Sequence, residues 1–248
     1  MPMIVVSTSG KLYGYYRDGG LGSLDMILRD SLKRLKADYK VFVDGDGWID
    51  IWLEGEDADV AARMVERLIG VRPRDIGDLG RRRTWVGRIK AITGEGLVMD
   101  MKLIEAIVAP GIVSIQLEDS YEGAVARYGL YPNIPIEVVV DRIVDSRRCT
   151  AYLSDSFLDK LHRWGVAGLN RVSITGVTLS MIRRCLKKTR MERYVAYYER
   201  LGILEHHIVC KIALNPYRVA QAVGSMLKNA DVHVVKPRPI GYLSLLHS

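Results

Sequence analysis

The stretch KVFVDGDGWIDIW, Lys40 to Trp52, sets two runs of alternating residues on either side of an Asp-Gly-Asp-Gly cluster. Val41 and Val43 alternate with Lys40 and Phe42 before the cluster, and Ile49, Ile51 and Leu53 alternate with Trp48, Asp50 and Trp52 after it. Period-two alternation around Asp and Gly predicts a β-hairpin. The same letters allow an Asp-x-Asp phosphotransferase or metal site built on Asp44 and Asp46. Such a site needs a parallel strand that leads into a crossover of about a dozen residues or more, and only residues 44–47 separate the two runs. A calcium loop needs Gly at its sixth position and Glu at its twelfth, where Ile49 and Gly55 stand. The hairpin is the better reading, and it removes the main argument for an enzyme.

Working outward, Met3 to Ser9 form a β-branched run, and GKLYGYYRDGGLG then supplies five glycines in thirteen residues, which predicts a long loop. Ser23 is a suitable N-cap for a helix whose apolar face is Leu24, Ile27, Leu28, Leu32 and Leu35. EGEDADVAARMVERLIG opens on acids and ends in glycine, the signature of a second helix. The order is strand, helix, strand, strand, helix. It returns near the other end: RVSITGV as a strand, TLSMIRRCLKK as a helix capped by Thr178, ERYVAYYERLG and EHHIVCKI as paired strands, NPYRVAQAVGSMLKN as a helix and DVHVVKP as a last strand. A strand-helix-strand-strand-helix-strand unit with right-handed crossovers folds as a ferredoxin-like sandwich. In the first unit the last strand, around Pro73 to Leu79, is weak or missing.

An all-β stretch lies between the two units, with TWVGRIKAITGEGLVMDM and NIPIEVVVDRIVDSRRCTAYLS each reading as a hairpin. A Gly-x-Ile opening, the strand GLVMD and an ending in Leu-Ser resemble the OB-type barrel of cold-shock domains and of the repeats in ribosomal protein S-one. Lys102 to Tyr131 fit that pattern poorly. The fold class expected is α+β: two ferredoxin-like (βαββαβ) units, residues 1–80 and 155–248, flanking an OB-like β-barrel, residues 81–154.

With 248 residues, 48% of them hydrophobic, the chain is long enough for two or three such units with real cores. No run approaches the roughly 18 apolar residues of a membrane span, and the N-terminal segment lacks a secretory signal, so a cytoplasmic location and no membrane partner are expected. Cys149, Cys185 and Cys210 are odd in number and form no CxxC, which suggests small core residues. Two Gln and four Asn among many charged residues match the bias of heat-adapted proteins.

Net charge is +7, and it is unevenly placed. Residues 1–80 carry 11 basic and 14 acidic side chains, residues 81–154 carry 10 and 9, and residues 155–248 carry 15 and 6. The excess belongs to the last third, a pattern that points to a polyanion. Its densest part is RRCLKKTRMER. On a helix that begins after Thr178, Leu179, Ile182 and Leu186 form the buried stripe, and Arg183, Arg184, Lys187, Lys188, Arg190 and Arg193 crowd the opposite side with one acid among them. Like charges this dense cost stability, which favours a phosphate-bearing partner. RRRTWVGRIK offers a second cluster in Arg81, Arg82, Arg83, Arg88 and Lys90, and VKPRP adds Lys236 and Arg238. In the glycine-rich loop, Tyr13, Tyr15, Tyr16 and Arg17 combine aromatic faces with a cation, a combination that can dock on nucleic acid.

Other chemistry is thin. On a strand, His206 and Cys210 lie about 13 Å apart and His207 points the other way, so no metal site forms from them. There is no nucleophile elbow, Walker loop or HExxH, and neither catalytic residues nor a cofactor are called for. The strands VSITG and HHIVCKI lack the aromatics that read RNA bases, so backbone recognition by a helix face is expected.

The pattern ERLGILEHHIVCKI, AVGSMLKNADVH and KP, with LSDSFLDKL upstream and GEDADVAARMVERLIG near the front, resembles the archaeal domain-of-unknown-function family 2110. That resemblance implies an archaeal, cytoplasmic protein and brings no catalytic residues. The function expected is RNA binding, on ribosomal RNA, ribosomal subunits or another translation component. The alternatives are an ACT-like regulatory module for small metabolites and a transcription-associated protein.

Overall fold

The computed structural model describes residues 3–12, 17–81, 84–212, 214–228 and 230–236. The first unit runs β1 (Ile4–Lys11), α1 (Arg17–Leu32), β2 (Ala37–Val43), β3 (Trp48–Gly55) and α2 (Ala58–Ile69), with its sheet ordered β1-β3-β2. The opening stretch is the β2–β3 hairpin, antiparallel from Val43↔Ile49 to Ala37↔Gly55. Asp44 makes the turn: one carboxylate oxygen accepts the backbone N–H of Asp46 at 3.0 Å and of Trp48 at 2.9 Å. Gly47 is needed, because its φ is +89° and a Cβ there would lie 2.0 Å from the Leu12 carbonyl oxygen. Ile49, Ile51 and Leu53 are fully buried with Leu24, Leu28 and Val65 in one apolar cluster, as the alternation requires.

Two local expectations change. Helix α1 begins at Arg17, not after Ser23, and takes in Gly19, Gly20 and Gly22. Burial of Leu24 and Leu28 overrides the glycines' weak helix propensity, and Gly20 lets the Leu12 side chain come within 2.8 Å of where a Cβ would stand. Ser23 therefore sits inside the helix, its hydroxyl donating to the Gly19 carbonyl at 2.9 Å. In place of a last strand, Val71 makes one isolated bridge to Thr8, and Ile76–Arg81 form a short helix, α3.

The middle unit is a closed barrel. Strands β4 (Thr84–Thr93), β5 (Gly96–Asp100), β6 (Glu105–Val108), β7 (Pro135–Ile143) and β8 (Arg148–Leu153) close in the order β4-β5-β6-β8-β7. β6 and β8 pair in parallel and β4 pairs with β7 to shut it. The poorly fitting segment is where α4 (Pro110–Leu117) and α5 (Tyr121–Tyr128) occur, so the stretch is not all β. Pro110 at the first helical position and Ser120 as an N-cap to Gly123 explain the two starts. Helix α6 (Asp155–Ala167) sends Phe157, Leu161 and Trp164 into the barrel's cluster, although its place in the sequence suggests the third unit.

That unit runs β9 (Arg171–Thr175), α7 (Leu179–Lys188), β10 (Val195–Arg200), β11 (Glu205–Cys210), α8 (Pro216–Met226) and β12 (Asp231–Val235), with sheet order β10-β11-β9-β12. Val172, Ile174, Ile208 and Cys210 pack under α7 and α8. The sheet's other face is polar and is closed by the barrel. Arg88 reaches Glu205 at 3.0 Å with both side chains buried, and the Trp164 indole donates to Glu199 at 2.7 Å. Arg171 lies over the Trp164 ring and donates to the Tyr128 carbonyl at 3.3 Å. Tyr131 hydrogen-bonds Ser173. The β10–β11 connection meanwhile inserts Ile203 and Leu204 into the first unit's core, so the three units share buried contacts.

Candidate nucleic-acid interface

Helix α7 is built to present charge. Thr178 caps it, its hydroxyl accepting the Met181 N–H at 3.3 Å. Ile182, Cys185 and Leu186 face inward against the sheet and α8, with Leu179 only half-buried. A 3.6-residue period then leaves Arg183, Arg184, Lys187 and Lys188 outside, and all four are exposed. Arg183 with Lys187, and Arg184 with Lys188, are like-charge pairs at i, i+4. None of the four takes part in an ion pair with a described residue. Lys187 and Lys188 gain some compensation in the last turn, where carbonyls point outward.

The charge continues past the helix. Arg190 holds a left-handed φ of 57°, the chain closes with the Met191 N–H on the Leu186 carbonyl at 2.8 Å, and a short 3-10 turn, Glu192–Tyr194, leads into β10. The Arg183 guanidinium lies 5.0 Å from the Tyr198 ring centre and that of Arg193 lies 5.2 Å from the Tyr194 ring centre. Arg218 on α8 donates to the Tyr194 hydroxyl at 3.2 Å. That bond, with the nearby Arg193, holds the phenol below its ordinary pKa. Lys236 stands 4.5 Å from the ring centre of Tyr217, which is 54% exposed. Tyr198, Tyr217 and Arg218 were not foreseen, and Tyr194 is a core residue, 8% exposed. ERYVAYYER and NPYR carried the signal, since aromatics interleaved with cations are the composition of a nucleic-acid surface.

The second basic cluster fares differently. Arg88 is a correction: it is 3% exposed, committed to Glu205, and cannot meet a phosphate. Lys90 is exposed but pairs with Glu105. Arg17 and Arg81 fall in helices α1 and α3 with side chains that are not described, and Tyr13, Tyr15, Tyr16, Arg82, Arg83 and Arg238 lie outside the described residues.

Two other places merit comparison. A polar cleft of 640 Å³ opens between the first unit and the barrel, lined by Lys11, Trp48, Lys90, Asp100, Lys102, Glu105, Arg147 and Arg148 among others. Lys11 pairs there with Asp100 at 2.8 Å, and Lys102 with Asp44. Both neighbouring histidines on β11 are buried. His206 is held neutral, its pKa pushed down to about 4 by burial and by Arg200, and burial lowers His207 despite Glu199 beside it. Among the described residues no group of three His, Cys, Asp or Glu side chains could hold a metal ion.

Residues 4–71 match the DUF2110 N-terminal domain, residues 81–165 the DUF2110 central domain and residues 169–235 the DUF2110 C-terminal domain. The chain belongs to the DUF2110 family. The three matched segments coincide with the first sheet, the barrel with α6, and the second sheet, so the family's own division places α6 with the barrel. No curated protein matches the chain. A solved structure from Thermus thermophilus is similar at 14% identity and a TM-score of 0.19, over 93% of this chain; the chain spans 39% of that protein's length. No described helix is long and apolar enough to cross a membrane.

Proposed function

We propose that this DUF2110 protein is a cytoplasmic RNA-binding protein of the translation apparatus that grips the phosphate backbone with α7. The observation that carries this is one exposed helix face with four cations, extended by Arg190 and Arg193, without an ion-pair partner among the described residues. A folded protein holds such a face against self-repulsion, and a polyanion relieves it. The fold favours a helix over a sheet as the reader. Strand order β10-β11-β9-β12 supports a ferredoxin-like reading of this unit; RNA-recognition domains of that kind use the open sheet face, yet here that face is filled by Arg88, Tyr131 and Trp164. The barrel's order, with its third and fifth strands parallel, supports the OB-like reading. Composition fits a heat-adapted source.

The test is affinity for unstructured and duplex RNA as a function of salt. Reversing Arg183, Arg184, Lys187 and Lys188 to Glu weakens binding to all sequences alike, and lowers the log–log salt slope by about 0.7 for each single-strand phosphate that is no longer neutralised. A folded variant with unchanged affinity and slope overturns the assignment. The metabolite-binding alternative rests on the 640 Å³ cleft, which falls within the roughly 300–1,000 Å³ of small-ligand sites. Copurification of nucleic acid that vanishes with nuclease separates the two.

A further inference from the structure

Beyond the end where Arg72 pairs with Asp50, no described element covers the second face of the first sheet at Met3 or Phe42. Its inner face, Val6, Ile49, Ile51 and Leu53, lies in the core with residues of α1 and α2. The outer face carries Val5, Lys40, Phe42 and Trp52. Register sets Val5 and Lys40 on either side of Trp52, and the Phe42 and Trp52 rings lie 4.2 Å apart, tilted by 36°. Met3 is 52%, Phe42 42% and Val5 39% exposed, an apolar patch with an aromatic centre. At its edge Asp38 and Glu54 stand directly opposite each other on paired strands. Like charges in that position destabilise a sheet, and neither is in an ion pair with a described residue.

Met3, Asp38, Lys40, Trp52 and Glu54 line a cavity of 130 Å³. That is well under the roughly 300–1,000 Å³ of small-molecule sites, and suits the end of one side chain. Two carboxylates against Lys40 make it negative. The unit around it is acidic too, with 14 acids to 11 bases in residues 1–80, so its field draws cations and repels nucleic acid.

We propose that this face docks an extended cationic segment of a partner protein, with an arginine or lysine over Trp52 between Asp38 and Glu54. The ring attracts the cation and the carboxylates pair with it. The apolar neighbours of that residue pack on Met3, Val5 and Phe42. Among the described residues strand β2 is at the sheet's edge and pairs only with β3, and an added strand on its other side would send alternate side chains onto this face. The proposal goes beyond RNA binding by α7 and stands without it.

Trp52 gives a direct probe. Trp48, Trp85 and Trp164 are 1%, 4% and 3% exposed and Trp52 alone of the four is not buried. The full chain is titrated with a synthetic peptide of alternating arginine and valine, with its glutamate-for-arginine counterpart, and with oligouridylate, reading tryptophan emission. The arginine peptide is expected to quench saturably and at least tenfold more tightly than the glutamate peptide. Asp38→Asn with Glu54→Gln weakens it about tenfold, Trp52→Phe removes the signal while labelled-peptide anisotropy still rises, and the charge-reversed α7 variant behaves as wild type. Equal response to the two peptides, no saturable response to the arginine peptide, or no loss of affinity in the Asn/Gln variant refutes the proposal. Quenching by oligouridylate that Trp52→Phe abolishes overturns it in favour of RNA on this face.

Discussion

Glu205→Leu removes one half of the buried ion pair that joins the barrel to the second sheet. The Arg88 and Glu205 side chains are 4% and 1% exposed and meet at 3.0 Å, while the second carboxylate oxygen accepts the Leu204 N–H at 3.2 Å. Removing Glu205 takes the carboxylate from a guanidinium that is 4% exposed, and losing one partner of such a pair costs about 3–5 kcal/mol. Arg88→Met leaves a buried carboxylate and costs a similar amount. The double replacement puts two apolar side chains together and strands no charge, so it lies within about 2 kcal/mol of wild type. Urea unfolding of the four proteins at pH 7 measures this as a double-mutant cycle. Single variants that each lose under about 1 kcal/mol, or losses that simply add in the double variant, refute the assignment of this pair as the electrostatic centre of the junction.

At the turn that decides the first unit, Asp44→Asn keeps the acceptor for the Asp46 and Trp48 N–H groups and loses the half-exposed ion pair with Lys102. It shifts stability by no more than about 1 kcal/mol; Asp44→Ala strips the acceptor as well and melts at lower temperature than Asp44→Asn, and equal melting of the two would falsify the turn role. His206 imposes a pH dependence. Its imidazole titrates at 6.5 in the unfolded chain and about 4 when folded, so between those values the unfolded chain binds the additional proton. Stability is therefore full above pH 6.5, is lost as the pH falls, and levels off below 4, a loss on the order of 3 kcal/mol. His206→Phe is expected to flatten that slope in urea midpoints measured from pH 7 to 4.5, and parallel curves for the two proteins refute it.

Alternation was the most legible feature of the sequence. Ile49, Ile51 and Leu53 announced a half-buried strand, and Thr178 with Ile182 and Leu186 announced α7, because these periods reflect local geometry and one-sided burial. Gly19, Gly20 and Gly22 misled for the converse reason: Gly20 packs closely on Leu12, and the helix that holds all three is anchored by the fully buried Leu24 and Leu28, which are tertiary facts. Val113 and Leu117 lie in α4 within a run, GIVSIQL, that reads equally as strand. The candidate interface was half legible. Charge density marked α7, whereas Arg88 carried no local sign that its partner is 117 positions away. Tyr194 and Arg218 come together only when α8 folds over the same sheet.

The two outer sheets meet opposite fates, and polarity on their second faces decides which. On the third unit, Glu199, His207, Ser173 and His233 follow one another across the four strands in register. Such a row has to be hydrogen-bonded or hydrated, and the barrel supplies Trp164 to Glu199 and Tyr131 to Ser173. Closing that face leaves this unit its helices to offer a partner, and there Arg183, Arg184, Lys187, Lys188 and Arg218 stand. On the first unit the corresponding face is aromatic and apolar with an acidic edge, and no described element covers Phe42 or Met3. A ligand that neutralises α7 is repelled by Asp38 and Glu54, and one that suits Trp52 is repelled by Arg183 and Lys187. One molecule with two such faces has the electrostatics to bridge a phosphate backbone and a basic protein segment, the two components that lie side by side in a ribonucleoprotein.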